Sequence, residues 1–156
     1  MKKLLTILIA FLGYNSSAQT NTFSFSKDHD ALLVEDVSRS AKFYSEVLGL
    51  EEIDNGGLAA SIRWFQLKDS VQIHLIESEE IPDTHKGVHM SLNTSELDKF
   101  MKFLQEQNID FENWPGDSTN TNTRPDGVKQ IYLQDPDGYW IEILQPDMLE
   151  KQRKDS

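Results

Sequence analysis

Cysteine is absent from this chain of 156 residues, and positive charge is scarce. Without cysteine a lipid-anchored lipoprotein is excluded, and disulfide usage says nothing about the redox compartment. Only 15 lysines and arginines stand against 26 acidic residues, which gives a formal net charge of -11. Because such a protein repels phosphate backbones and anionic membranes, we expect no nucleic-acid partner.

Long apolar runs are also lacking at the N-terminus, where residues 4–12 form a run too short to cross a bilayer comfortably. The run follows Lys2 and Lys3 and precedes the small residues at 16–18. This order is typical of a secretory signal peptide, which we place at residues 1–18. We therefore predict an exported protein, periplasmic or secreted, with no membrane partner after cleavage.

The remaining chain repeats one pattern between a polar leader (19–27) and a polar tail (147–156). A strand, a helix and further strands are predicted over about 28–82, and the same order returns over about 87–146. Asp36 is expected to open the first helix, and Ser95 to cap the second. One βαβββ module cannot cover its apolar sheet face alone, so we predict an α+β domain whose two modules form a curved mixed sheet.

Four residues able to bind a metal hold matching places in the two modules. His29 lies seven residues before Asp36, and His89 lies seven before Glu96. His74 and Glu142 match in the last strands, IHLI and IEIL, where alternation turns both away from the most apolar layer. A single histidine on a strand is more often a hydrogen-bonded core residue than a ligand. Three histidines and one glutamate at matching positions of the two modules nevertheless favour a metal site.

Three imidazoles and one carboxylate suit zinc, nickel, cobalt, iron or manganese. One carboxylate against a dication leaves about one unit of positive charge, which can hold substrate oxygens and stabilise an enediolate. The fourth histidine, His85, lies in a polar stretch and is interpreted as a surface residue.

The segments HDALLVEDVSRSAKFYSEVLGL (29–50) and QDPDGYWIEILQP (134–146) resemble vicinal oxygen chelate proteins, the glyoxalase/bleomycin-resistance superfamily. The resemblance covers residues 28–146 and is greatest to glyoxalase I. It implies metal ligation by His29, His74, His89 and Glu142, with Glu142 also acting as the catalytic base. Glyoxalase I commonly has a carboxylate where His74 stands, so the resemblance leaves the reaction open.

The resemblance implies a metal-dependent lyase or isomerase of the lactoylglutathione lyase type, with a small-molecule substrate and a possible homodimer. A non-catalytic, antibiotic-type binding protein and an iron-dependent extradiol-type dioxygenase are the alternatives. The loop at 113–127 is either a lid or a disordered excursion. The basic candidates for holding substrate carboxylates are Arg63, Lys86, Arg124 and Lys129. The aromatic candidates for the pocket are Trp64, Phe65, Tyr132 and Trp140.

Overall fold

A computed structural model of the protein describes residues 23–146. The predicted signal peptide (1–18), residues 19–22 of the predicted leader and the predicted tail (147–156) lie outside the described residues. Neither helix in the described range is long and apolar enough to span a membrane.

The first module forms a four-stranded sheet in the order β1-β4-β3-β2, with β1 parallel to β4 and the other pairs antiparallel. Its elements are β1 (His29–Val34), α1 (Val37–Glu46), β2 (Glu51–Ile53), β3 (Ile62–Gln66) and β4 (Gln72–Glu77). Asp36 is confirmed as the cap of α1, because its carboxylate accepts from the backbone N–H groups of Ser38 and Arg39.

The second module forms a five-stranded sheet in the order β5-β9-β8-β6, with β7 also paired to β8. Its elements are β5 (His89–Asn93), α2 (Leu97–Glu106), β6 (Phe111–Glu112), β7 (Asn122–Thr123), β8 (Lys129–Gln134) and β9 (Trp140–Gln145). The strand β5 is parallel to β9, as β1 is to β4. The α+β class built from two matching modules is therefore confirmed, and in the described chain each module has its own mixed sheet.

The predicted cap at Ser95 is wrong, because Glu96 occupies the N-cap position of α2. The first helical N–H, that of Leu97, instead donates to Gln145 Oε1 at 3.1 Å. The corresponding N–H in α1, that of Val37, donates to Glu77 Oε2 at the same distance. In both modules the last residue of the last strand therefore satisfies a donor that would otherwise be left unpaired at the helix start.

Each sheet buries one face against its own helix. Phe65, Ile73 and Leu75 belong to the first core, and Ile131, Leu133 and Ile141 to the second. The partly buried side chains Phe43, Leu48 and Met90 pack against both cores. The two modules therefore meet through their helix-covered sides, and the opposite sheet faces point away from this contact.

The turn between β8 and β9 joins the two modules. Asp137, whose side chain is 1% exposed, accepts from the Glu35 N–H and the Arg39 guanidinium, both at 2.8 Å, and from the Ser40 hydroxyl. The Tyr44 hydroxyl donates to Asp135 Oδ2 at 2.9 Å. Burial raises the pKa of Asp135, and burial followed by the charge of Asp135 raises the pKa of Tyr44, so the Tyr44 hydroxyl keeps its proton.

Candidate metal centre

Glu142 lies on β9 with both carboxylate oxygens hydrogen-bonded, and it is only 5% exposed. The Ser91 hydroxyl donates to Oε2 at 2.8 Å, and the Tyr132 hydroxyl donates to Oε1. Ser91 and Tyr132 reach the carboxylate because they are its cross-strand neighbours on β5 and β8. Burial, followed by the hydrogen bond to Glu142, raises the pKa of Tyr132, so its hydroxyl remains the donor.

His89 lies beside this carboxylate, with its Nε2 atom 3.5 Å from Glu142 Oε2. Its Nδ1 atom is 2.8 Å from the backbone carbonyl of Lys86. A carbonyl oxygen only accepts, so in this hydrogen bond Nδ1 must carry the proton. With Nδ1 as the donor, Nε2 is the ring nitrogen that faces Glu142 and the one available to bind a metal, which is the orientation of a metal-binding histidine. The donor set of His89 and Glu142 therefore fits a divalent cation.

His29 and His74 form the corresponding pair in the first module. Their rings stack with centroids 4.2 Å apart, and Trp64 stacks on the other side of His74 at the same distance. Burial, followed by the charge of His29, lowers the pKa of His74. A lowered pKa favours the neutral imidazole that metals require. Parallel stacked rings do not aim their nitrogens at one point, so a ring must turn before both histidines can bind one ion.

The structure brings the four predicted ligands together as two separate pairs. Within residues 23–146 no cluster of three or more histidine or acidic side chains is arranged to hold a metal ion. The pairs lie on different sheets, and each lies on the sheet face opposite the core of its own module. One copy of the chain thus presents two half-sites that face away from each other.

Three of the pocket residues predicted from sequence lie on the ligand-bearing faces, and two do not. Trp64 shares the face of His74. Tyr132 and Trp140 share the face of Glu142 by strand alternation. Phe65 is wrongly predicted, because it is fully buried in the first core. Arg63 shares the side of Phe65 on β3, and its guanidinium pairs with Glu52 on the neighbouring strand, with Nε 2.6 Å from the carboxylate. The structure thus corrects the placement of Arg63 as well.

Lys86 is not free to hold a substrate carboxylate. Its ammonium donates to Glu112 Oε1 at 2.6 Å and to the backbone carbonyls of Asn113 and Trp114 at 2.5 and 2.9 Å. Its nitrogen also lies over the rings of Trp114, Tyr132 and Trp140, at 5.8, 4.8 and 5.0 Å from their centroids. The side chain is 16% exposed. Lys86 therefore ties the segment before His89 to the start of the 113–127 loop.

Trp114 is a site residue that the sequence did not indicate. Its ring centroid lies 5.4 Å from that of Tyr132 and 6.4 Å from that of His89. The start of the loop is ordered by hydrogen bonds, since the Trp114 N–H donates to Asn122 Oδ1 and the Gly116 N–H donates to Asn113 Oδ1, both at 2.9 Å. A tryptophan in a polar loop carries no periodic signal, so only the tertiary contacts reveal its place.

A family model described as the Glyoxalase/Bleomycin resistance protein/Dioxygenase superfamily matches residues 27–143. The uncharacterized protein YwbC of Bacillus subtilis (strain 168) is 30% identical over 125 residues, which cover 76% of this chain and 95% of that protein. A crystal structure from Bacillus anthracis, assigned to the glyoxalase family, superposes with a TM-score of 0.66 at 22% identity, covering 82% and 100% of the two chains. The crystal structure of lactoylglutathione lyase from Agrobacterium tumefaciens gives a TM-score of 0.58 at 21% identity, covering 77% and 92%. At these identities the two crystal structures establish the fold alone.

Proposed function

We propose that this chain, which belongs to the glyoxalase/bleomycin resistance protein/dioxygenase superfamily, is a metal-dependent lyase or isomerase acting on adjacent oxygens of a small substrate. One observation carries the proposal: His89 Nε2 and Glu142 Oε2 lie 3.5 Å apart, while other groups hold His89 Nδ1 and both oxygens of the Glu142 carboxylate. Such support fixes the orientation of metal ligands.

A bound divalent cation would supply positive charge to substrate oxygens as negative charge develops on them. His89 and Glu142 would hold the cation from the second module, and His29 and His74 from the first. Glu142 is then placed to accept a proton from the carbon beside those oxygens. The hydroxyls of Ser91 and Tyr132 hold the carboxylate in position. Because a hydroxyl both donates and accepts, either can rotate once Glu142 is protonated.

We propose further that a second copy of the chain completes each site. The half-sites of one copy face away from each other, whereas a two-fold partner can set its second module against the first module of its neighbour. The strands β1 and β5 stand at the edges of their sheets in the described chain, so each has a free edge beside its half-site. A symmetric dimer would contain two identical sites, each with all four ligands.

Mixing two inactive variants tests whether sites are shared. One variant carries His29→Ala and His74→Ala, and the other carries His89→Ala and Glu142→Gln. After unfolding and refolding together in equal amounts, half the dimers are mixed, and each mixed dimer has one intact site if sites are shared. Zinc binding and turnover should then recover to about one quarter of wild type. No recovery, with mixed dimers demonstrated by mass spectrometry, would show that sites are not shared between copies.

Metal titration tests the proposed function itself. The full chain is treated with chelator and titrated with zinc in a calorimeter, and hemithioacetals of methylglyoxal and of phenylglyoxal, each formed with glutathione and with an uncharged thiol, serve as activity probes. We expect one ion per chain, lost in His89→Ala and retained in the matched control His85→Ala. Glu142→Gln should abolish turnover of any substrate found. Unchanged turnover in that variant would rule out the proton-transfer role.

A further inference from the structure

We infer that Trp114, held in place by Lys86, is the specificity-determining wall of the site and selects substrates with a planar aromatic group beside the two metal-binding oxygens. This inference rests on the proposed function, because it concerns the same site. It assigns a substrate class through three rings, Trp114, Tyr132 and Trp140, which we call the aromatic wall.

The aromatic wall lies beside the proposed ligands. The Trp114 ring contacts Tyr132, whose hydroxyl is bonded to Glu142, and it also approaches the ring of His89. Trp114 is 47% exposed, so part of its indole is open to a ligand. A planar group stacked there gains apolar burial and favourable ring contacts. A substrate oxygen near His89 and Glu142 would bring the adjoining group toward this wall.

The charges around the aromatic wall disfavour an anionic substituent. Lys86 has three N–H donors and three oxygen acceptors, one of them the Glu112 carboxylate, so its charge and donors are already satisfied. The other basic residue that acts on Tyr132, Arg124, donates to Asp126 at 2.7 Å. A substrate carboxylate or phosphonate would meet no uncommitted charge from these two groups. The wall therefore fits an uncharged planar group.

Lys86 is a positioning residue in this arrangement. Its side chain fixes the carbonyls of Asn113 and Trp114, and its own carbonyl receives the His89 Nδ1 proton. One residue thus sets the spacing between the aromatic wall and the proposed metal ligand. Replacing only the side chain releases Trp114 while the backbone contact to His89 is kept.

Two hydroxamates provide the test, because both present two adjacent oxygens to a metal and only one carries a ring. Benzohydroxamate and acetohydroxamate are titrated into the zinc-loaded full chain by calorimetry. We expect wild type to bind benzohydroxamate about tenfold more tightly. Trp114→Ala should remove most of that preference, and Trp114→Phe should keep most of it. Lys86→Met combined with Glu112→Gln, which leaves no unpaired charge, should reduce it with Trp114 still present.

The ratio of the two affinities separates a lost wall from general damage, since misfolding weakens both ligands alike. If Trp114→Ala leaves the ratio of the two affinities unchanged, the aromatic wall does not select the substrate, but the proposed metal site is not contradicted. If the zinc-loaded protein binds neither hydroxamate, or the protein binds no zinc, the proposed function fails and this inference fails with it. A ratio that persists in the Lys86→Met/Glu112→Gln variant would overturn the positioning role of Lys86.

Discussion

The two modules share a backbone but surround their central ligand position with different chemistry. His74 and Glu142 occupy the same place, each between two cross-strand neighbours: Ala31 and Trp64 for His74, Ser91 and Tyr132 for Glu142. In the first module the neighbours offer a ring and a methyl group, and the imidazole stacks. In the second they offer two hydroxyls, and both bind the carboxylate. Each pair of neighbours thus matches the residue that it surrounds.

This difference indicates that the two modules hold their metal ligands with different firmness. A carboxylate held by two hydroxyl donors has a fixed position and keeps acceptor capacity for a cation or a proton. The imidazole of His74 stacks between His29 and Trp64, and its Nε2 atom lies 2.8 Å from Gln72 Oε1, so this ring must leave its contact with Gln72 before Nε2 can bind a metal. We therefore expect the second module to bind metal first and the first module to adjust around it.

The largest expected effect is a difference in the free energy of unfolding between substitutions on the two faces of β3. Phe65→Ala should lower the free energy of unfolding by about 3–5 kcal/mol, because it leaves a cavity in the first core. Trp64→Ala, its neighbour on the ligand-bearing face, should cost far less, because Trp64 is only partly buried. Urea unfolding of both variants measures the difference. Equal costs would contradict the assignment of Phe65 to the core and Trp64 to the site.

The second comparison concerns the equivalent turns before the last strands. Asp137→Ala should destabilise the protein by about 2–3 kcal/mol, because it leaves donors from Glu35, Arg39 and Ser40 without their acceptor. Asp69, its counterpart in the first module, accepts one long bond from the Val71 N–H at 3.3 Å and lies on the surface. Asp69→Ala should stay within about 0.5 kcal/mol of wild type. A comparable loss in both variants, measured by urea unfolding, would show that the turn does not join the modules.

The third comparison exchanges the aromatic neighbours of the central ligands. Tyr132→Phe should weaken zinc binding about tenfold, because it removes one of the two donors that orient Glu142. Trp64→Phe should have a smaller effect, because a phenyl ring can still stack on His74. Competition with a zinc-binding dye measures both affinities. A larger loss from Trp64→Phe would mean that the first module, not the second, holds the metal more tightly.

Sequence periodicity predicted the modules because short-range patterns encode strands, the α1 cap and the matching positions of the ligands. It failed where a distant residue decides the outcome. The first N–H of α2 is satisfied by Gln145, forty-eight positions away, so the local signal at Ser95 was misleading. Phe65 and Arg63 are wrong as pocket residues, because residue type alone does not reveal which face of β3 packs on the helix.

The placement of Trp114 depends on the contacts of Lys86, which join chain segments about twenty-six positions apart, and no local pattern reports them. The separation of the four ligands into two half-sites has a similar origin. Register in the sequence equates positions within modules, but it does not say how two modules pack. That packing depends on side chains shared by both cores, Phe43, Leu48 and Met90.

The smallest expected effect tests the corrected place of Arg63, whose counterpart in the second module is the buried Ile131. The hydrogen bond from Arg63 lowers the pKa of Glu52 from its ordinary value of 4.5. A lowered carboxyl pKa stabilises the fold above that ordinary value, and the contribution disappears as pH falls through the pKa of folded Glu52. Because both side chains are partly exposed, Arg63→Gln should cost only about 0.2–1 kcal/mol at pH 7, and less in high salt. Urea unfolding of wild type and variant from pH 7 down to pH 3 should show this difference shrinking below the ordinary pKa. A difference that grows on acidification would mean that Arg63 acts on some group other than Glu52.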